Sequence, residues 1–308
     1  MRFIATKLYL NLFSKHFQPI EDTEMNQDIE LLAAYWTIAG DIYPMGPTEV
    51  SPFSFENRME AAGQAGFKGI GLVHNGMMDT VDKIGYPAMT AILEKNGIKH
   101  VELEFLVDWY LSGERRRQSD KVRQELLEAA EALGARSIKI GPGIGQEIAD
   151  VKLMAKEFRL LCQQAAEVGT NVVLEIMPFS NVRNIETALA IVERADQPNG
   201  GLLLDIWHLE RGGIKFSEIS KIPARFIKSI ELNDAHKYAI EPLWMDTIHK
   251  RVLPGDGTFD VPAFIKAVQA AGYEGPWGLE VLSDTHRKLP LEQMANRAYE
   301  STISQFRK

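Results

Sequence analysis

The chain has 308 residues, 45% hydrophobic and 25% charged, the composition of an ordinary globular protein with room for one large domain or two small ones. Its 34 basic and 42 acidic residues leave a formal charge of −8, the wrong sign for gripping a phosphate backbone, which argues against a general nucleic-acid binder. No uncharged apolar run reaches the roughly 18 residues that span a bilayer, so no membrane-spanning role is expected.

The first segment, residues 1–29, carries Arg2, Lys7, Asn11 and Lys15 among its apolar residues and has no small-residue cleavage site, so it does not read as a signal peptide. An ordered arm, a loose tail and an upstream start at Met25 all remain open for it. From residue 30 onward, short apolar runs alternate with longer stretches of helical period, the pattern of strand-helix units on a parallel sheet. The expected strands are ELLAAYWTIA, GIGLVH, HVELEFL, SIKIGPG, NVVLEIMP, GLLLDIWH, IKSIELND and PWGLEVLS. Eight is the number that closes a barrel, so the predicted fold is α/β, a single (β/α)8 barrel over residues 30–308.

The intervening helices carry their own marks. In SDKVRQELLEAAEALGA, Ser119 is placed to cap, Val122, Leu126, Ala130 and Leu133 recur on one face, and Gly134 ends the run. After Asp150 come Met154, Phe158, Leu161, Ala165 and Val168, with Gly169 beyond them. Asp260 opens another helix, with Pro262 in its first turn, Phe264 and Val268 facing inward and Gly272 as the stop. The one cysteine, Cys162, falls in an apolar helical stretch and reads as a buried structural thiol; with no disulfide available, a reducing, cytoplasmic compartment is expected. One connection is long, the 25 residues from Ala235 to Phe259. It follows a strand's carboxyl end, the face that holds active sites in such barrels, and reads as a substrate-covering element.

Four carboxylates stand near the ends of successive apolar strands: Glu175, Asp205, Glu231 and Glu280. A single one would read as a buried salt bridge. Four brought around one barrel axis repel one another unless a cation sits among them, so a divalent metal is expected. The all-oxygen donor set favours Mn²⁺ or Mg²⁺ over Zn²⁺, with Co²⁺ as a substitute. His208, three residues after Asp205, is either bonded to a nearby backbone or carboxylate group or turned toward metal and substrate; His74, at the end of GIGLVH, carries the same pair of readings. Glu102, Glu104 and Lys139 read as interior ion pairs. Arg251 reads either as a surface arginine or, through a tight turn at Gly255 and Gly257, as a group held over the mouth to bond a substrate hydroxyl or carboxylate. Neither that GxG nor the glycines of SIKIGPGIGQE extends into a nucleotide-binding motif.

The motifs LEIMP, LLLDIWH, IELNDA, RVLPGDGTFD and GYEGPWGLEV occur in the order seen in the xylose isomerase-like barrel superfamily, which the chain resembles over roughly residues 30–300. That superfamily includes sugar-phosphate isomerases, ketose 3-epimerases, inosose and 3-dehydroshikimate dehydratases and endonuclease IV-type repair enzymes. The resemblance implies one divalent metal held by Glu175, Asp205, Glu231 and Glu280, and implies that Glu175 and Glu280 act as acid and base on carbon next to a carbonyl. Glu231 departs from the family's histidine or glutamine; it either tightens binding of a hard cation, lowers the Lewis acidity felt by substrate or has another role. The implied function is a metal-dependent sugar isomerase or epimerase acting on a ketose, keto-glycoside or cyclitol, with His208 as a further catalytic group and His74 and Arg251 binding substrate. A dehydratase is the alternative. A repair nuclease fits less well, since that branch uses three zinc ions and more histidines, and a barrel that has lost catalysis is disfavoured by the complete carboxylate set. No nucleic-acid or membrane partner is implied, and assembly into a homo-oligomer stays open.

Overall fold

Eight short stretches rich in Val, Ile and Leu pair edge to edge in parallel and close on themselves in the computed structural model, which describes residues 29–145 and 149–308. They are β1 (Leu31–Ala33), β2 (Gly69–Val73), β3 (His100–Leu106), β4 (Ser137–Ile140), β5 (Asn171–Glu175), β6 (Gly200–Asp205), β7 (Ile227–Leu232) and β8 (Trp277–Leu279). Each strand pairs with its neighbours in sequence, and β1 closes the ring by setting Leu32 opposite Gly278 and Ala33 opposite Leu279. This is a single closed eight-stranded parallel barrel with flanking helices. Apart from Ile29, the arm expected over residues 1–29 lies outside the described residues, as do Gln146 and Glu147 of the SIKIGPGIGQE stretch.

The apolar core lies between the barrel wall and the helices around it. Met154, Phe158, Leu161, Cys162 and Ala165 all face inward from the helix Val151–Glu167 and are fully buried. Burial pushes the Cys162 thiol well above its ordinary range, which makes it a packing residue. Asp150 and Asp260 cap their helices by accepting from the amides of Leu153 and Ala263. Gly134, Gly169 and Gly272 take the positive φ expected of residues that end helices.

Two sequence expectations need correction. The first strand is not ten residues long: it stops at Ala33, and Tyr35–Ile38 forms a 3₁₀ turn instead. The Thr37 hydroxyl fixes that turn by donating to Leu279 O at 2.7 Å and accepting from Val281 N at 3.1 Å. Ser119 is not a cap, because its helix already starts at Gly113; its hydroxyl donates to Val107 O, 2.6 Å away. The connection between 235 and 259 is ordered, containing the helix Leu243–His249 and a strand, Arg251–Val252, that pairs antiparallel with Asp234–Ala235.

Candidate metal centre and active site

Strand register decides which carboxylates meet. Glu175 and Asp205 are the last residues of β5 and β6, Asp205 lies opposite Glu231 on β7, and Glu280 immediately follows β8. All four are at least nine-tenths buried at the carboxyl end of the barrel, where Glu104 of β3 joins them. Room for Glu104 comes from the neighbouring strand: a Cβ on Gly71 would stand 2.9 Å from Glu104 Oε1 and 2.8 Å from Tyr35 N. Ligand atoms of Glu175, Asp205 and His208 lie within 4.8 Å of one another, and so do those of Glu104, Glu231 and Glu280.

Fixed cations thread between these acids. Lys139, fully buried on β4, bonds Glu231 and lies 3.4 Å from Glu102 and 3.9 Å from Glu104. Arg251 is not at the surface but 1% exposed inside the mouth, its Nη1 2.6 Å from Asp205 Oδ2 and 3.0 Å from Glu280 Oε2. Its other edge donates to Thr247 Oγ1 at 2.8 and 3.3 Å. His208 Nε2 sits 3.1 Å from Glu175 and 4.0 Å from Asp205.

The segment carrying Arg251 is anchored from below. Asp234 Oδ2 accepts from the amides of Gly255 and Gly257, each at 3.0 Å, while Oδ1 accepts from Ala235 at 2.7 Å and Phe259 at 2.9 Å. Gly257 permits this approach, since a Cβ there would lie 2.2 Å from Asp234 Oδ1. The two glycines thus serve the loop and, through it, the placement of Arg251.

The charge balance leaves the acids in excess. Six buried carboxylates (Glu102, Glu104, Glu175, Asp205, Glu231 and Glu280) face three permanent cations, Arg136, Lys139 and Arg251. The strain shows in their protonation. Burial holds Glu104 above the usual carboxylate range; burial, reinforced by the charge on Glu280, puts Glu231 well above it; and burial pushes Glu280 to about 8. At Asp205 burial opposes ionisation, but Arg251 and His208 outweigh it and lower the pKa. Glu104 Oε1 and His208 Nδ1 are buried with no hydrogen-bond partner among the described residues. Crowded, under-neutralised oxygen donors with an imidazole beside them are a donor set that a divalent cation fits.

The sequence-predicted residues are therefore gathered with one exception. Glu175, Asp205, Glu231, Glu280, His208 and Arg251 surround one space. His74 stands apart at the start of the helix His74–Lys95, its Nε2 2.7 Å from Glu125 on the next helix. Two participants, Asp234 and Thr247, escaped sequence reasoning, and a third, Glu104, was read only as an interior ion pair. Glu104 shares a face with Glu102 by strand alternation but reaches the carboxylate cluster at the mouth, whereas Asp234 and Thr247 act only through contacts that fold the long connection. The alternation in HVELEFL signalled Glu104; nothing local signalled Thr247.

The model of the xylose isomerase-like TIM barrel family matches residues 59–304. The chain belongs to that family. It is 28% identical over 238 residues to a 3-dehydroshikimate dehydratase of Pseudomonas aeruginosa, covering 76% of this chain and 37% of the relative. It is 24% identical over 188 residues to an inosose isomerase of Halalkalibacterium halodurans, covering 58% and 64% respectively. The chain thus spans less than two thirds of the length of these curated relatives. Among solved structures, the IOLI protein with a bound zinc atom superposes with a TM-score of 0.79 at 19% identity, covering 90% of this chain and 98% of that one, a likeness of fold. Among the described residues no helix is long and apolar enough to cross a membrane.

Proposed function

We propose that this barrel is a divalent-metal-dependent isomerase or epimerase that moves a proton on carbon next to the carbonyl of a small polyhydroxylated ketone, such as a ketose, keto-glycoside or cyclitol. The observation that carries this reading is the excess of buried carboxylates over cations at the barrel mouth, because an uncompensated anionic cluster is too costly to be a scaffold alone. Glu175, Asp205, Glu231 and Glu280 would hold the ion, Mn²⁺ or Mg²⁺ by hardness with Co²⁺ able to replace it, and the bound ion supplies positive charge where an enolate's negative charge develops.

The chain's own groups do the rest. Glu175 and Glu280 come from strands separated by two others, so they flank the mouth from different sides; one takes the proton as a carboxylate and the other returns it. His208, bonded to Glu175 at 3.1 Å, orients that carboxylate. Arg251, fixed by Thr247, offers its guanidinium to a substrate oxygen, and the connection above it excludes water. His74, held by Glu125 outside this cluster, is given no part in the reaction. Incubation of candidate ketoses with the metal-loaded protein in deuterated water tests the proposal: deuterium at the carbon beside the carbonyl, without loss of water, is expected, and its absence across ketoses and cyclitol ketones rejects it.

A second reading, dehydration, has a specific observation in its favour: the match to the Pseudomonas dehydratase covers 76% of the chain, against 58% for the inosose isomerase. It shares the first proton abstraction and then expels a β-hydroxyl, which needs the second carboxyl as an acid for the leaving group. Loss of water from 3-dehydroshikimate, read as the new ultraviolet band of the aromatic dihydroxybenzoate that its enone ring becomes, or loss of water from an inosose, selects this outcome.

A further inference from the structure

Glu175, Asp205, Glu231 and Glu280 each have an oxygen engaged by a donor of the chain itself. Arg251 Nη1 holds Asp205 Oδ2 at 2.6 Å and Glu280 Oε2 at 3.0 Å, and the other Asp205 oxygen accepts from Trp207 N at 2.7 Å and Asn233 Nδ2 at 2.9 Å. His208 Nε2 stands 3.1 Å from Glu175 Oε1. At Glu231 the engaged atom is Oε1 and the donor is Lys139. That is the one hydrogen bond Glu231 receives among the described residues, so Oε2 is its free oxygen.

The contact is built into the barrel. Lys139 is 1% exposed and rises from β4, three strands from β7 around the ring, so its side chain crosses the barrel interior to reach Glu231. Its ammonium lies among Glu231, Glu102 at 3.4 Å and Glu104 at 3.9 Å, which keeps the charge inside. Glu231 is confined from the other side, because its stem runs over the bare backbone of Gly278 on β8, where a Cβ would stand 3.3 Å from Glu231 Cγ. A set of carboxylates does not by itself discriminate among hard cations. Ca²⁺ takes about six to eight oxygens and accepts both oxygens of one carboxylate, whereas Mg²⁺ demands a compact octahedron of about six, and Mn²⁺ shares its oxygen-donor sites. What separates the classes is how many oxygens each carboxylate is free to offer.

We propose that Lys139 is a positioning residue that sets which divalent ion the mouth takes: by holding Glu231 Oε1 it limits Glu231 to one donor oxygen, which disfavours Ca²⁺ and favours the octahedral Mn²⁺ and Mg²⁺ class. The inference rests on the metal-dependent reading above and adds the selectivity of that site. Two physical effects of the ammonium act in the same direction. It occupies the oxygen that a chelating ion would need, and an ion drawn onto both Glu231 oxygens would stand beside a second buried positive charge, where repulsion is strong. An ion on Oε2 alone keeps the width of the carboxylate between itself and the ammonium.

Mn²⁺ and Ca²⁺ are the probes, titrated separately into the full chain after chelation and followed by calorimetry; the readout is the ratio of the two dissociation constants. Wild type is expected to bind Mn²⁺ at least about tenfold more tightly than Ca²⁺. Lys139→Met keeps the stem and removes the ammonium, so it is expected to tighten Ca²⁺ more than Mn²⁺ and to narrow the ratio at least about tenfold. Glu231→Gln has a single acceptor oxygen, so it is expected to weaken both ions while leaving the ratio within about threefold of wild type. That variant is nearly isosteric and keeps the test open should Lys139→Met not fold. In the double variant the narrowing should vanish, because no second oxygen is left to free. A purely structural role for Lys139 would move the melting temperature and not the ratio. Equal affinity of wild type for the two ions, an unchanged ratio in Lys139→Met, or a ratio widened at least about tenfold in Glu231→Gln, the sign of a Glu231 that already chelates, would each overturn the proposal and leave the metal-dependent reading standing. Binding of neither ion by wild type removes that reading, and the proposal with it.

Discussion

Glu102 and Glu104 leave the same strand on the same side, two residues apart, at 1% and 4% exposure, yet their environments drive them in opposite directions. Burial opposes ionisation of Glu102, but Lys139 and Arg136 outweigh it and hold the carboxyl below its ordinary range, with Arg136 at 2.5 Å and the Ser229 hydroxyl at 3.1 Å. For Glu104 burial prevails: its nearest cation is Lys139, 3.9 Å away and shared with Glu231, and the charge on Glu102 adds to the penalty. Burial alone therefore does not mark a functional carboxylate. The local ratio of cations to acids does, and it falls on passing from the lower layer of the barrel to its mouth.

The largest effects should come from the mouth. Asp205→Ala is expected to release the divalent ion from the purified protein, read by elemental analysis, because the surroundings of Asp205 favour its charge. Glu175→Gln and Glu280→Gln are each expected to lower turnover by at least about a hundredfold, the size of a general acid-base contribution. Near-normal turnover in either would remove that residue from the proton-transfer pair, and retention of the ion by Asp205→Ala would remove the metal from the reading.

The lower layer should respond through stability instead. Glu102→Gln leaves Arg136 without its carboxylate partner and is expected to cost about 3–5 kcal/mol in urea denaturation of the chelated protein. Glu104→Gln removes an acid that no cation matches, so its cost in the same assay is expected to stay below about 1 kcal/mol, while affinity for the divalent ion falls. Equal losses in the two variants would erase the distinction between the layers.

Much of this was legible in the chain. Strand number and order followed from apolar runs and their spacing, and the four strand-end carboxylates could be picked out because an acid in such a run is conspicuous. The pairing was not legible: Lys139 and Glu231 meet across 92 residues and Arg251 meets Asp205 across 46, distances at which no local period survives. His74 shows the opposite limit, since its place at the end of a strand suggested the mouth but the helix geometry turned it toward Glu125.

The mouth also makes a pH prediction for the metal-free protein. The Glu280 carboxyl, raised by burial to about 8 from its ordinary 4.5, keeps its proton in the folded chain over a range in which the unfolded chain has lost it. Stability is then greatest below about pH 4.5 with respect to this group and declines as pH rises toward about 8, by roughly 2–4 kcal/mol. Glu280→Gln is expected to flatten that slope in urea titrations after chelation. A slope unchanged by the substitution would show that other groups govern it.

The smallest effect on the bound ion is expected at Asp234, which touches neither layer. Its carboxylate accepts from four amides that fold the Arg251 segment back over the mouth, so Asp234→Asn, which keeps one acceptor oxygen and replaces the other with a donor, is expected to cost about 1–3 kcal/mol. The charge is not what matters there; the number of acceptor positions is. Because Arg251 still has Thr247 and Asp205 to hold it, the ion should remain bound and turnover should fall less than for Glu175→Gln or Glu280→Gln. Loss of the ion in Asp234→Asn would mean that the loop, and not the strand ends, sets the metal site, and the contrast between mouth and scaffold would have to be redrawn around it.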